Sequence, residues 1–319
     1  MVPIMGDNTK FKLNDGGWIP SIAFGTGTTY FDRPDDVSNG LVTAVKNGFR
    51  LIDTAVMYGT EVGVGRGLST LVENDICKRE DLFITTKLAP RLLTFEEVIE
   101  MVDTCLKNLQ LDYIDLMMIH FPGMSPSLKS ESFYSNDPAI NAMGRMDMWD
   151  ALQVCQGQGK IKHIGVSNFT RHHIEALIKD PRCKVIPAVN QIEFNPYLVD
   201  NDILQVCKDH GILVQSYGPI GSGSRQPANP DTSETNFNLL EDPELLSMAQ
   251  KYGCTVAQIC IGYALRKNVA VVTKTEKEER MKENLKSCKI AERLENQDIA
   301  KMDMMNKDLR KFWDPYAVA

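Results

Sequence analysis

Several protein classes leave no mark in this 319-residue chain. The eight cysteines (Cys77, Cys105, Cys155, Cys183, Cys207, Cys254, Cys260 and Cys288) are scattered, with no C-x-x-C pair and no Cys/His cluster at zinc spacing. They read as reduced thiols, and no metal is expected. A reducing compartment follows, so the expected location is cytoplasmic. No apolar run is long enough to span a bilayer. The greasiest stretch, around YIDLMMIHF, is too short and too polar, and the start, MVPIMGDNTKFKLN, has no signal-peptide core. A soluble, unprocessed chain is the expectation. Cationic surplus is missing as well: 35 Lys and Arg stand against 42 Asp and Glu, interspersed, for a net charge of −7. That balance argues against nucleic acid and membrane surfaces as partners. A glycine fingerprint for an open dinucleotide-binding sheet is absent too. GTGTTY (25–30) has Tyr where the last Gly belongs, GVGRG (63–67) sits inside a helical stretch, and GSGS (221–224) reads as a flexible loop. No P-loop pattern occurs. Tryptophan is scarce, with only Trp18, Trp149 and Trp313.

What the chain does contain is one grammar repeated: a short run rich in Val, Ile, Leu or Phe, a polar turn, an amphipathic helical stretch, then another run. The runs are 21–24, 50–53, 82–87, 113–120, 162–167, 186–191, 212–217 and 269–274, and the helical stretches between them include 35–48, 94–109, 146–159, 201–211 and 255–267. Strands alternating with helices imply parallel pairing through right-handed crossovers. Eight such units predict an α/β fold of the closed (β/α)8 TIM-barrel type. We read residues 1–319 as a single domain, with an N-terminal β-hairpin (9–20), two long loops (121–145 and 218–240) and a C-terminal tail (305–319) at the barrel mouth. Loops of that length in a compact barrel are usually lids or binding loops.

Barrel enzymes gather their chemistry at the C-terminal ends of the strands, so the run ends form one testable set. They read Asp53, Lys87, His120, Ser167 with Asn168, Gln191, Tyr217 and Lys274. Each has a bland reading alone: Asp53 a turn residue, Lys87 a snorkelling surface lysine, His120 a satisfied core histidine, Tyr217 packing. Taken together they point to one functional mouth. A carboxylate at Asp53 would hold the Lys87 ammonium charged, and that cation beside Tyr58 would favour the phenolate and lower the phenol's usual value near 10. Tyr58 would then be a proton donor near neutral pH, with His120 orienting the same oxygen.

At this point the chain resembles the aldo-keto reductase family over nearly its whole length. The resemblance is carried by FKLNDGGWIPSIAFGTGT, GFRLIDTAVMYGTE, LDYIDLMMIH, KIKHIGVSNF, VNQIEFNPYL, ILVQSYGPIGS and VVTKTEKEERMKENL, in order and spacing. The family's tetrad falls on Asp53, Tyr58, Lys87 and His120, at intervals of 5, 29 and 33 residues. The resemblance implies hydride transfer from NADPH to a carbonyl carbon while Tyr58 protonates the oxygen; NADP+ is the other form of the cofactor. It further implies that Ser167, Asn168 and Gln191 bind the carboxamide and Tyr217 stacks on the nicotinamide. Gly25, Thr26, Gly27 and Asp53 would also meet the cofactor, and Pro219, Ile220 and Ser222 would fold over the pyrophosphate.

In 271–284 the spacing of Thr275 and Glu278 predicts a capping box at a helix start. The resemblance places the adenosine 2′-phosphate on Lys274, Thr275 and Arg280, and the adenine on Glu283 and Asn284, so NADPH is expected over NADH. Substrate contacts are expected from Thr28, Val56, Ala89, Phe121 and Trp313. Where tryptophan-rich members have aromatics, this chain has Gly27, Ala89 and Phe121, so a wider pocket is expected; Trp18 and Trp149 read as packing, and Trp313 as either a pocket residue or a terminal anchor. FGTGT with VVTKTEKEERMKENL is most similar to fungal members, including conjugated polyketone and ketopantoyl-lactone reductases. A small-molecule carbonyl substrate and a monomer or weak homodimer are expected. Two other readings stand beside the reductase: a catalytically weak NADPH-binding sensor or structural protein of the same fold, and a barrel aldolase using Lys87 as a Schiff-base lysine.

Overall fold

A computed structural model of the protein describes residues 10–123, 137–221 and 238–318. Two short strands, β1 (Lys10–Lys12) and β2 (Trp18–Pro20), form an antiparallel hairpin. Eight parallel strands then close into a barrel: β3 (Ile22–Gly25), β4 (Leu51–Asp53), β5 (Phe83–Lys87), β6 (Ile114–Ile119), β7 (Ile161–Ser167), β8 (Val189–Glu193), β9 (Leu213–Tyr217) and β10 (Ala270–Thr273). β10 pairs with both β9 and β3, which closes the ring. The expected TIM barrel and its hairpin are both present. β8 begins three residues later than the run suggested and continues to Glu193, because Pro187 cannot donate to a ladder.

Helices α1 (Pro34–Lys46), α2 (Glu61–Glu73), α3 (Phe95–Leu109), α4 (Pro138–Gly157), α5 (Arg171–Lys179), α6 (Asn201–Asp209), α7 (Pro243–Tyr252) and α8 (Val256–Arg266) cover the ring, and α9 (Glu278–Leu285), α10 (Ser287–Arg293) and α11 (Asn296–Asp303) follow β10. α3 shows how the sequence writes one. Thr94 caps it by accepting from Glu97 N while Glu97 reaches back to Thr94 N, and Val98, Val102, Cys105 and Leu109 recur on the buried face. α4 starts eight residues before the expected 146. Asp137 accepts from Ala139 N and Pro138 takes the first helical position, so the last part of the predicted 121–145 loop is helix. The rest of that loop (124–136) and most of the second (222–237) lie outside the described residues.

The strands' period of two sorts the barrel interior into levels. At the floor, Ala23, Leu51, Phe83, Leu116, Met118, Val189 and Val272 pack together, plugged from below by Leu13 and Ile19 of the hairpin. Trp18, on the same hairpin, is 56% exposed rather than packed. Two or four residues further along the same strand faces, side chains turn polar. Asp53 follows Leu51, Lys87 follows Phe83, Gln191 and Glu193 follow Val189, Gln215 and Tyr217 follow Leu213. A larger apolar layer lies between ring and helices and includes Trp149, whose indole N–H donates to Val185 O at 3.0 Å. All eight cysteines are free thiols. Among the described residues no helix is long and apolar enough to cross a membrane, and no cluster could hold a metal ion.

Candidate active site

Asp53, Tyr58, Lys87 and His120 meet at the polar end of the barrel. Asp53 closes β4 and is pinned there by its neighbours: Thr26 donates to the Asp53 carbonyl through both its N–H (2.9 Å) and its hydroxyl (3.2 Å), and Thr26, Thr60 and Thr54 hydroxyls join in a buried chain. The Thr26 side chain, expected at the cofactor, thus makes its bonds inside the fold beside Asp53. Lys87 ends β5, fully buried, and its Nζ donates to Asp53 Oδ1 (2.7 Å), to Thr54 O (3.0 Å) and towards Tyr58 Oη (3.4 Å). Tyr58 arrives on a 3-10 turn, Val56–Tyr58, that ends at Gly59 in left-handed conformation. Its ring stands edge-on to His120, centroids 5.6 Å apart.

The electrostatics differ from the sequence expectation at Tyr58. Burial, reinforced by the Asp53 charge, pushes its phenol well above 10 rather than below it. With Asp53 only 2.7 Å from Lys87, the cation's field is largely cancelled at the phenol, and desolvation wins. Burial also lowers Lys87, against the stabilising Asp53 charge, and holds His120 well below 6.5 with the Lys87 charge acting in the same direction. The site thus holds a protonated phenol beside an ion pair and a neutral imidazole. His120 Nδ1 is buried with no partner among the described residues.

Around this cluster lies a ring of amides. Gln191 Nε2 donates to Asp53 Oδ2 (2.8 Å) and to Gln215 Oε1 (2.7 Å). Ser167 Oγ donates to Gln191 O, and Asn168 Nδ2 donates to His120 O (3.0 Å) and Ser167 Oγ (3.1 Å). Asn168 holds this pose with φ +62°, a conformation asparagine tolerates better than most residues. Tyr217 donates its hydroxyl to Asn168 Oδ1 at 2.7 Å. Gln191 sits mid-strand rather than at the end of its run; the residue that closes β8 is Glu193.

The glycines of FGTGT have separate causes. A Cβ on Gly25 would stand 2.7 Å from Val272, so this glycine lets β3 and β10 approach. A Cβ on Gly27 would meet the Tyr58 ring at 2.9 to 3.2 Å. Thr28, expected in the substrate pocket, instead accepts from Lys274 Nζ at 2.5 Å, across the gap between β3 and β10. Val56 packs against the outer apolar layer and lines a cleft with Gly59, Arg91 and Met101, so it is not brought to the cluster. Ala89 lies just past β5, its N–H on Met101 Sδ. Pro219 and Ile220 follow Tyr217 through Gly218 (φ +61°), and Ser222 lies outside the described residues.

Trp313 does reach the mouth. Its ring centroid is 5.4 Å from both His120 and Phe121, and the preceding Phe312 stands edge-on to Tyr217 at 5.4 Å. Phe31 approaches Tyr58 at 6.2 Å. The expected aromatic-poor pocket is thus corrected: the tail and the loop after β3 restore what the strand ends lack. Sequence reasoning missed Phe312, Gln215 and Glu193, although the two-residue spacing Gln191, Glu193 and Gln215, Tyr217 marks one polar strand face.

Beyond β10, Thr275 Oγ1 accepts from Lys277 N, and Lys277 takes the helix cap position of α9 without a side-chain bond. The predicted Thr275/Glu278 capping box does not form; Glu278 pairs with Lys282 at 2.7 Å instead. Arg280 is exposed, with no carboxylate partner among the described residues, and Glu283 accepts from the Thr255 hydroxyl while Asn284 is buried.

Residues 21–307 match the model of the aldo/keto reductase family. The chain is 34% identical over 323 residues to estradiol 17 beta-dehydrogenase 5 of Mus musculus, covering 96% of this chain and 98% of that protein. It is also 34% identical over 311 residues to prostaglandin-E(2) 9-reductase of Oryctolagus cuniculus, covering 97% and 95%. Among solved structures, a Bombyx mori aldo-keto reductase in complex with NADP superposes with a TM-score of 0.81 at 31% identity, covering 94% of each chain.

Proposed function

The chain belongs to the aldo/keto reductase family of oxidoreductases, and from that premise we propose that it is an NADPH-dependent reductase of aldehydes and ketones with Tyr58 as the general acid. The observation that carries this reading is the buried run Asp53, Lys87, Tyr58, with Nζ 2.7 Å from the carboxylate and 3.4 Å from the phenol. When bound, NADPH supplies a hydride to the carbonyl carbon. As that oxygen gains negative charge, Tyr58 gives it a proton; a phenol held protonated across neutral pH is always loaded for this. The phenolate left behind would lie about a hydrogen bond's length from Lys87 Nζ, 3.4 Å away, which offers it an N–H despite the opposing Asp53 charge. Neutral His120, edge-on to Tyr58, would stand beside the same oxygen. Asp53 acts through Lys87, keeping a fully buried lysine charged. Three donations from its Nζ leave Lys87 poorly suited to Schiff-base chemistry.

The donor set fits the cofactor. Gln191 spends its N–H groups on Asp53 and Gln215, and its Oε1 accepts from no described residue; Asn168 Oδ1 accepts only from Tyr217. Two acceptors with Ser167 beside them suit a carboxamide, and Tyr217 would lie against the ring. Lys274, the Thr275 hydroxyl and exposed Arg280, which pairs with no carboxylate among the described residues, suit a phosphate near the start of α9, with Glu283 and Asn284 next to it for the adenine. Gly25, Gly27, Pro219 and Ile220 would border the cofactor's course between these ends, and Ala89, Phe121 and Trp313 the substrate.

We take residues 1–319 as one catalytic domain. Conjugated dicarbonyls and ketolactones are the first substrate class to test, on the likeness of FGTGT and VVTKTEKEERMKENL to fungal members. The test is NADPH oxidation across a panel of dicarbonyls, aldehydes and hydroxysteroid-type ketones, set against Tyr58→Phe. Turnover should fall by about 10²- to 10⁴-fold in the variant while NADPH still binds. Undiminished turnover would remove Tyr58 from its role, and tight NADPH binding with no turnover on any substrate would favour a sensor.

A further inference from the structure

Glu193 closes β8, sits opposite Tyr217 in the strand register, and is 1% exposed. A carboxylate buried this deeply costs free energy unless its oxygens are occupied. Here the occupants are two successive backbone N–H groups of the C-terminal tail: Lys311 N donates to Oε1 (3.0 Å) and Oε2 (3.1 Å), and Phe312 N to Oε2 (3.0 Å). The tail reaches this point from α11 through bonds of Lys307 N and Leu309 N to Tyr197 O, and leaves it towards Val318, whose carbonyl meets His173 Nε2 at 3.0 Å. Between these anchors lie the aromatic residues that roof the mouth. Phe312 stands edge-on to Tyr217 and covers Gly218, where an added Cβ would sit 3.0 Å from its ring. Trp313 touches His120 and Phe121.

We propose that Glu193 is the positioning residue of the substrate mouth: by holding the Lys311 and Phe312 N–H groups it presents Phe312 to Tyr217 and Trp313 to His120 and Phe121, and so sets which carbonyl compounds the mouth admits. The requirement is for an acceptor at a fixed reach. Without it, two N–H groups are left unpaired in a dry site, and the tail relieves that by lifting into water. The substrate side of this proposal rests on the reductase reading above; the docking of the tail does not.

Three variants separate the possibilities. Glu193→Leu keeps the volume and removes both acceptors; Glu193→Asp keeps the charge and withdraws it by roughly one carbon–carbon bond length, about 1.5 Å; Glu193→Gln keeps the reach and one acceptor oxygen. Tail docking is read by trypsin cleavage after Arg310 and Lys311 and by Trp313 emission, with Trp313→Ala giving the background of Trp18 and Trp149. Cleavage should quicken about tenfold in Glu193→Leu and Glu193→Asp and return towards wild type in Glu193→Gln, as expected for losing hydrogen bonds to a charged acceptor. With a bulky ketone KM should rise about tenfold while kcat changes less than about threefold, and in a Phe312→Ala/Trp313→Ala background the same substitutions should add nothing to KM. If Glu193→Leu fails to fold by circular dichroism, Glu193→Asp decides. A tail as protected in Glu193→Asp as in wild type would overturn the proposal, as would a KM effect that persists without both Phe312 and Trp313. Absence of any turnover in the wild type would sink the reductase reading, and the cleavage experiment would still judge Glu193.

Discussion

Asp53 Oδ1 and Lys87 Nζ lie 2.7 Å apart with their side chains 3% and 0% exposed, so each is the other's answer to burial. Removing one partner strands a charge in a dry site. Lys87→Met leaves Asp53 with Gln191 Nε2 as its remaining side-chain donor, and should cost about 3–5 kcal/mol of stability in urea unfolding. Lys87→Met/Asp53→Asn, which removes both charges, should recover a good part of that, although neither protein turns over substrate. Equal stability of single and double variants would show that the pair is not the structural unit described.

Gly27 offers a test of how tightly Tyr58 is placed. A methyl at 27 would stand 2.9 to 3.2 Å from three carbons of the phenol ring, closer than unstrained contacts allow. In Gly27→Ala the ring must shift away, and its hydroxyl moves with it relative to Lys87 and His120. Small misplacements of reacting groups cost up to about 10²-fold, so kcat should fall by about 10- to 100-fold with thermal stability nearly intact. An unchanged kcat would mean that the ring tolerates displacement.

Much of this site is written in the sequence, for a physical reason. A strand's side-chain period is set by covalent geometry, so Leu51 to Asp53, Phe83 to Lys87 and Val189 to Gln191 pass from apolar floor to polar mouth whatever packs outside. The ends of the apolar runs therefore named Asp53, Lys87 and Tyr217 in advance, and Gln191 two residues short of the true strand end. Local signals also marked the caps, though composition hid one: Asp137–Pro138 is a helix start inside a stretch whose Ser, Asn and Gly content suggested loop. Illegible from sequence was whatever depends on segments distant along the chain. Thr26 holds Asp53 across 27 residues, Lys274 reaches Thr28 across 246, and Glu193 takes the tail across 118. The Tyr58 shift was misjudged for a related cause, since its sign is set first by burial among segments distant along the chain, with the Asp53 charge acting in the same direction.

Cofactor choice should reside at the start of α9. Lys274 and Arg280 would each give a charge-assisted bond to a 2′-phosphate, of about 1.5–3 kcal/mol. Replacing both by Met should raise KM for NADPH by about 10²-fold or more and leave KM for NADH within about threefold. Equal effects on the two cofactors would place the phosphate elsewhere.

The pH behaviour isolates Glu193. Tyr58 is held well above 10 and His120 well below 6.5, so neither titrates between pH 5.5 and 8.5, and kcat should be flat there. Glu193 is different: desolvation, against the tail N–H groups and the facing cations Arg310 and Lys311, pushes it from 4.5 up to about 7, with Tyr217 the titratable neighbour across the strand pair. Because the folded value is the raised one, the folded state binds a proton more tightly than the unfolded chain. Its contribution is fully present below 4.5 and is lost as pH rises through about 7, a loss of about 3 kcal/mol at about 1.36 kcal/mol per pH unit. The amide bonds to the tail do not reverse that sign; they only reduce what burial imposes. Stability in urea unfolding should therefore fall between about pH 6 and pH 8. Glu193→Gln carries no proton to lose and an acceptor in the same place, so its stability should fall less over that range. A wild-type stability that does not fall over this range, or that falls equally in Glu193→Gln, would assign the titration to another group.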